Sequence, residues 1–143
     1  MQQFNKARRD LPNSDNELFE LNQFPLFDKE QAIKNCGNES ILLELVTLMA
    51  LKQIPEDLEH IKTAFQEQDY SLVERIAHKI KSGAMYLGTT RMKFACQYVE
   101  RYRKSGEDQL FAQLYSQAVK VIEETERFLT DWLEKYTPLN EEI

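Results

Sequence analysis

Apolar residues recur along this chain at spacings of three and four from Leu18 onward, the period of a helix that packs one face into a core. Asp28 is placed to cap a short helix, Lys29 to Cys36, that Gly37 ends. A longer helix begins after Asn38 and runs past Ile41, Leu42, Leu45, Leu48 and Met49. Pro55 falls inside that pattern and predicts a kink or a split, because proline lacks a backbone donor and its ring clashes with the preceding turn. The period resumes at Leu58, Ile61 and Phe65 and gives out near Asp69. Either Asp69 caps the next helix or Ser71 does, the latter with Glu74 three residues on as a capping box. Gly88 is a stop signal, and Thr89-Thr90 supply a fresh N-cap for a helix carrying Met92, Phe94, Ala95, Val99 and Tyr102. After Ser105-Gly106, Asp108 is placed to cap the last helix, whose stripe from Phe111 through Leu114, Ala118, Ile122 and Leu129 to Trp132 is the cleanest in the chain.

Four substantial helices joined by short turns predict an all-α fold, an antiparallel up-down four-helix bundle with a short extra N-terminal helix. Residues 1–20 read as a polar lead-in or linker, with a solvated Arg8-Arg9 pair and the turn-prone Pro12-Asn13-Ser14-Asp15. Residues 21–137 form the bundle, and 138–143 a short tail.

Composition narrows the choice of partner. The chain has 143 residues, enough for one domain with a core, and 18 basic against 24 acidic side chains give a net charge of -6. With no long basic run, nucleic acid is not an expected partner. Only four Gly and four Pro argue against a many-turned β fold. Cys36 and Cys96 lie far apart without a CxxC pairing, and read as buried thiols in a reducing compartment. The start MQQFNKARRD lacks the apolar core of a signal peptide, and the run Ile41 to Leu51 is interrupted by Glu44 and Thr47. The expectation is a cytoplasmic chain without membrane contact, most simply a monomer.

Catalysis needs convergent groups, and few are on offer. There is no P-loop, glycine-rich nucleotide loop or GxSxG elbow. A di-metal bundle would need Glu-x-x-His pairs on two helices, and Asp57-Leu58-Glu59-His60 is a near match without a second copy, so neither a metal site nor a cofactor is expected. His78 stands out instead. On a helical wheel Leu72, Val73, Ile76, Ile80, Gly83 and Leu87 form the buried stripe, and His78 falls roughly 200° from Ile76, on the solvent side. This predicts an unpaired imidazole beside Lys81 and the small residues Ser82, Gly83 and Ala84. Glycine inside a helix costs about 1 kcal/mol against alanine, so the small residues read as clearance, Ser82 for a partner and Gly83 for a partner or a neighbouring helix.

The run His78-Lys79-Ile80-Lys81 followed by Ser82, Gly83, Ala84 and then Leu87-Gly88 resembles the histidine-containing phosphotransfer (HPt) domains of bacterial multistep phosphorelays. The similarity extends from about Phe24 to Tyr136, and takes in Asp69, Ala77, Cys96 and Glu100. Two positions depart from the common pattern: Ser82 stands where many members have glycine, and Glu100 where some have a glutamine that hydrogen-bonds the active imidazole. The resemblance implies reversible phosphoryl transfer between His78 and the aspartates of response-regulator receiver domains, with Mg²⁺ on the receiver. Lys81 would stabilise phosphoryl charge, Ser82, Gly83 and Glu100 would support the site, and Met85 and Tyr86 would take part in docking, with Ile33, Leu43 and Val46 as further candidates. Imidazole as a residue type titrates near 6.5, so a neutral nucleophile is available at neutral pH, whereas a lysine stays charged there and cannot be the base. Without an ATP-binding motif the chain is expected to be a phosphocarrier and not a kinase, either free-standing or the C-terminal module of a hybrid sensor kinase. The rival reading is a non-catalytic helical adaptor that binds a signalling partner.

Overall fold

Local side-chain and glycine chemistry sets several of the helix boundaries. The computed structural model describes residues 16–141, with side chains through residue 136. The Arg8-Arg9 pair and the Pro12 to Asp15 turn lie outside the described residues. Two short 3-10 turns, Asn16–Phe19 and Leu21–Gln23, precede α1, Lys29–Cys36. The Asp28 side chain accepts from the Gln31 N–H at 3.1 Å, and Gly37 at φ 100° closes the helix by donating its N–H to Ile33. Asn38 then caps α2, Glu39–Leu48, through the Ile41 N–H at 2.8 Å.

Pro55 neither breaks the next helix nor leaves it regular. Between α2 and α3, Ile54–Gln66, the backbone widens into a π turn over Met49–Gln53, in which the Ile54 N–H reaches back five residues to the Met49 carbonyl. The wider turn absorbs the missing proline donor and gives its ring room, so α2 and α3 continue as one rod.

Asp69, and not Ser71, caps α4, Tyr70–Leu87, by accepting from the Leu72 N–H. The Ser71 hydroxyl accepts instead from Arg103 Nη2 at 3.0 Å. Helix α5 covers Thr90–Tyr102 and α6 covers Asp108–Glu141. Thr89 stands at the α5 N-cap position, but its hydroxyl turns back to the Ala84 carbonyl and makes no capping bond. Asp108 lies inside the first turn of α6, and the Glu107 carbonyl takes the Phe111 N–H. A carboxylate there still favours the positive helix end.

The result is a helical bundle of four long elements, the α2–α3 rod, α4, α5 and α6, with α1 as an additional short N-terminal helix. The core runs from Leu42, Val46 and Ile61 on the rod through Val73, Ile76, Ala77, Ile80 and Ala84 on α4 to Leu114, Ala118, Ile122 and Leu129 on α6. Ala84 is thus a core residue and gives no clearance at the surface. Packing starts before residue 21, since Leu18 is fully buried and its carbonyl accepts from Gln117 Nε2. Helix α6 likewise continues past residue 137 to Glu141.

The α4–α5 turn is the tightest point. Gly88 has φ 73°, its carbonyl takes the Asp28 N–H at 2.7 Å, and a Cβ placed on it would lie 2.4 Å from the Asp28 oxygen. Arg91 secures the same segment through its backbone N–H to Pro25 and Nε to Phe24. At Gly83, by contrast, a Cβ would meet nothing nearer than Met49 Cε at 3.7 Å. Gly88→Ala is therefore expected to cost about 2–4 kcal/mol of unfolding free energy from strain and overlap, whereas Gly83→Ala gains about 0.5–1 kcal/mol from helix propensity. Urea unfolding of the two variants measures both, and equal effects of the same sign would contradict this packing.

Candidate functional site

Helix α4 buries Val73, Ile76, Ala77, Ile80, Ala84 and Leu87 and so turns His78 outward, with 58% of its side chain exposed. The neighbouring helix α5 buries Met92, Ala95, Cys96 and Val99 against the core and sets Glu100 at its edge, beside His78. The imidazole is therefore exposed but not unpaired: Nδ1 lies 2.5 Å from Glu100 Oε2. The other carboxylate oxygen, Oε1, accepts from Lys81 Nζ at 2.7 Å. Lys81 and Glu100 are largely covered, at 12% and 15% exposure. One carboxylate thus grips the two α4 side chains that share a face three residues apart.

The protonation pattern follows from this geometry. Burial pushes the Glu100 carboxyl up, but hydrogen bonds from Lys81 and His78, together with the lysine charge, outweigh it and hold the group below its ordinary value of 4.5. An ionised carboxylate only accepts, so Nδ1 must carry the proton. In a neutral imidazole the lone pair then sits on Nε2, to which no described residue makes a hydrogen bond. The arrangement presents one nucleophilic nitrogen, held by the other, on an open surface.

Its surroundings add little competing chemistry. One turn below Glu100, burial and the negative charges of Asp57 and Glu100 push the Cys96 thiol up to about 12, so it stays protonated and inert at neutral pH. The Ser82 hydroxyl donates to the His78 carbonyl at 3.1 Å, which keeps the side chain low over its own helix. Lys79 turns the other way, to Asp57 on α3 at 2.8 Å. Asp57 is therefore partnered by a lysine, and His60 stays exposed.

The family model for the Hpt domain matches residues 46–134. The chain belongs to the Hpt domain family. The sensor protein GacS of Pseudomonas syringae pv. syringae is 30% identical over 99 residues, which span 68% of this chain and 11% of that protein. No solved structure matches. Phosphotransfer in a phosphorelay is accordingly the general function of this Hpt chain.

The structure brings His78, Lys81 and Glu100 together and sets Ser82 beside them. Gly83 faces away, toward Met49 of the π turn. Met85 and Tyr86 are both exposed, but Tyr86 is tied to α1, its hydroxyl donating to the Asn35 carbonyl while Asn35 Nδ2 donates to the Tyr86 carbonyl. Val46 is fully buried and Leu43 and Ile33 are half-buried, so Val46 is no contact residue. The exposed apolar side chains of the rod are Ile41, Leu48 and Leu51. Among the described residues no helix is long and apolar enough to cross a membrane.

Because the folded value of Glu100 is lowered, its contribution to stability is full above about pH 4.5 and is lost as pH falls through that lowered value. Glu100→Gln is expected to reduce unfolding free energy by about 1–3 kcal/mol at pH 7, and the gap from wild type should close in acid. Urea titrations between neutral and acid pH test this, and a gap that stays constant would contradict an ionised Glu100.

Proposed function

We propose that His78 is the phosphoryl-accepting residue, exchanging a phosphoryl group with an aspartate of a response-regulator receiver domain. Nε2 attacks the phosphorus of the receiver's acyl phosphate in line. The N–P bond forms as the P–O bond to the aspartate carboxylate breaks, and the carboxylate leaves with the electron pair; the reverse step returns the group. The observation that carries this reading is the exposed imidazole anchored through Nδ1 by Glu100. Anchoring fixes the ring without spending the attacking nitrogen, and phosphoryl transfer rests mainly on positioning and electrostatics.

Lys81 and Glu100 act together in this account. A carboxylate alone would repel an incoming phosphoryl group, but the pair with Lys81 is neutral overall and leaves lysine hydrogens to face added negative charge. Mg²⁺ belongs to the receiver, and Met85 with Tyr86 lies on the docking side. The chain is a carrier and not an ATP-dependent kinase, works in the cytoplasm, and serves either alone or as a module of a larger sensor kinase.

The test is transfer from a phosphorylated receiver. Wild-type protein should acquire acid-labile, base-stable label, His78→Gln should acquire none while keeping its fold, and Lys81→Ala should slow transfer roughly tenfold or more, the scale of one lost charge contact. Label retained by His78→Gln would refute the assignment, and a His78→Gln variant that supports normal signalling would favour the adaptor reading instead.

A further inference from the structure

On the other flank of α4 a cavity of about 180 Å³ opens between that helix and the rod of α2, the π turn and α3. Its floor is apolar and reaches the core: Met49 and Ile54 come from the rod, Ile80 from α4, Met92 from α5 and Ile122 from α6, all of them buried. The gap lies where the rod leaves the α-helical register and where Gly83 gives α4 no side chain. Gly83 puts no side chain into this space, and a Cβ there would meet only Met49 Cε, at an ordinary contact distance of 3.7 Å. Apolar cavities near 150 Å³ stay dry and accept a benzene ring, so this volume suits one ring or a branched alkyl group.

The rim carries a charged pair. Asp57 is 7% exposed, yet among the described residues its carboxylate has one donor, the Lys79 ammonium on Oδ1. A carboxylate has about four acceptor sites, and those that Lys79 does not use are open to solvent or to a ligand. Lys79 is itself 67% exposed. An ion pair with so exposed a lysine is weak, and the ammonium returns to water at little cost when another cation takes its place.

We propose that this cavity binds a small organic ammonium ion, with its ring or branched alkyl group on the apolar floor and its charged head on Asp57. Buried cations pair with buried carboxylates, and the ligand supplies the apolar volume together with a cation that takes the place of Lys79. The site does not depend on the phosphotransfer reading. His78 reaches α5 through Glu100, while Lys79, the next residue, reaches α3 through Asp57.

The probes are benzylamine, benzyl alcohol and benzoate, which share a ring and differ in charge, titrated into the full chain and followed by methyl NMR of the isoleucine and methionine residues on the floor. Benzylamine should give saturable shifts there, about tenfold tighter than benzyl alcohol, as one charged contact implies, with no saturation by benzoate. Asp57→Asn should bring benzylamine to the benzyl alcohol level. Gly83→Leu, once its helical circular dichroism matches wild type, should abolish the shifts by filling the space, and Asp57→Asn decides the matter if Gly83→Leu does not fold. Absence of saturable shifts with benzylamine overturns the site. Equal binding of all three probes, unchanged in Asp57→Asn, overturns its preference for a cation.

Discussion

Glycine at position 88 sets the register on which the site depends. Its left-handed backbone lets α4 turn directly into α5, and the missing Cβ lets the Asp28 peptide press against the turn and donate to the Gly88 carbonyl. Any side chain there would have to push the α1 entry away from the hairpin. With the turn held from outside by Asp28 and Arg91, α4 and α5 can slide little against each other, and Glu100 arrives opposite His78 and Lys81. The geometry of a single carboxylate at the surface is thus fixed by backbone packing at the end of the hairpin.

That carboxylate then does two things that an amide would do less well. It stays ionised because a lysine and an imidazole both donate to it, despite its partial burial. Being ionised, it can only accept, which assigns the proton to Nδ1 and the lone pair to Nε2. A glutamine could swing its amide and hold either tautomer. The cost of a negative charge beside the proposed phosphoryl acceptor is offset by Lys81, which is held within hydrogen-bond reach of the same group and largely shielded from water.

Much of this was legible in the residues. The cap at Asp28, the helix start after Asn38, Asp69 as one of two candidate caps and the stops at Gly37 and Gly88 follow from chemistry that acts within a few residues, and all are present in the structure. The exposure of His78 follows from the stripe opposite it. Less legible were features that depend on how helices meet. The run from Ile41 to Leu51 is apolar on nearly every side, so its period does not say that Val46 is buried and Leu48 exposed. Nothing local announces the π turn except Pro55, which is equally compatible with a kink or a split. The pairing of His78 had a usable signal: it lies ten residues before Gly88 and Glu100 twelve after, as facing residues of a hairpin do. Asp57 and Lys79, each eleven residues from Gln68, obey the same rule across the α3–α4 turn. Ala84, by contrast, read as clearance because it is small, and is small because it is packed in the core.

The central claim, that Glu100 holds the Nδ1 proton and leaves Nε2 to accept the phosphoryl group, is tested most directly by long-range nitrogen–proton NMR of the His78 ring before and after reaction with a phosphorylated receiver. The account predicts a neutral ring protonated on Nδ1 beforehand, and afterwards phosphorus on Nε2 with the Nδ1 proton retained. A ring protonated on Nε2 at the start, or phosphorus found on Nδ1, would contradict it.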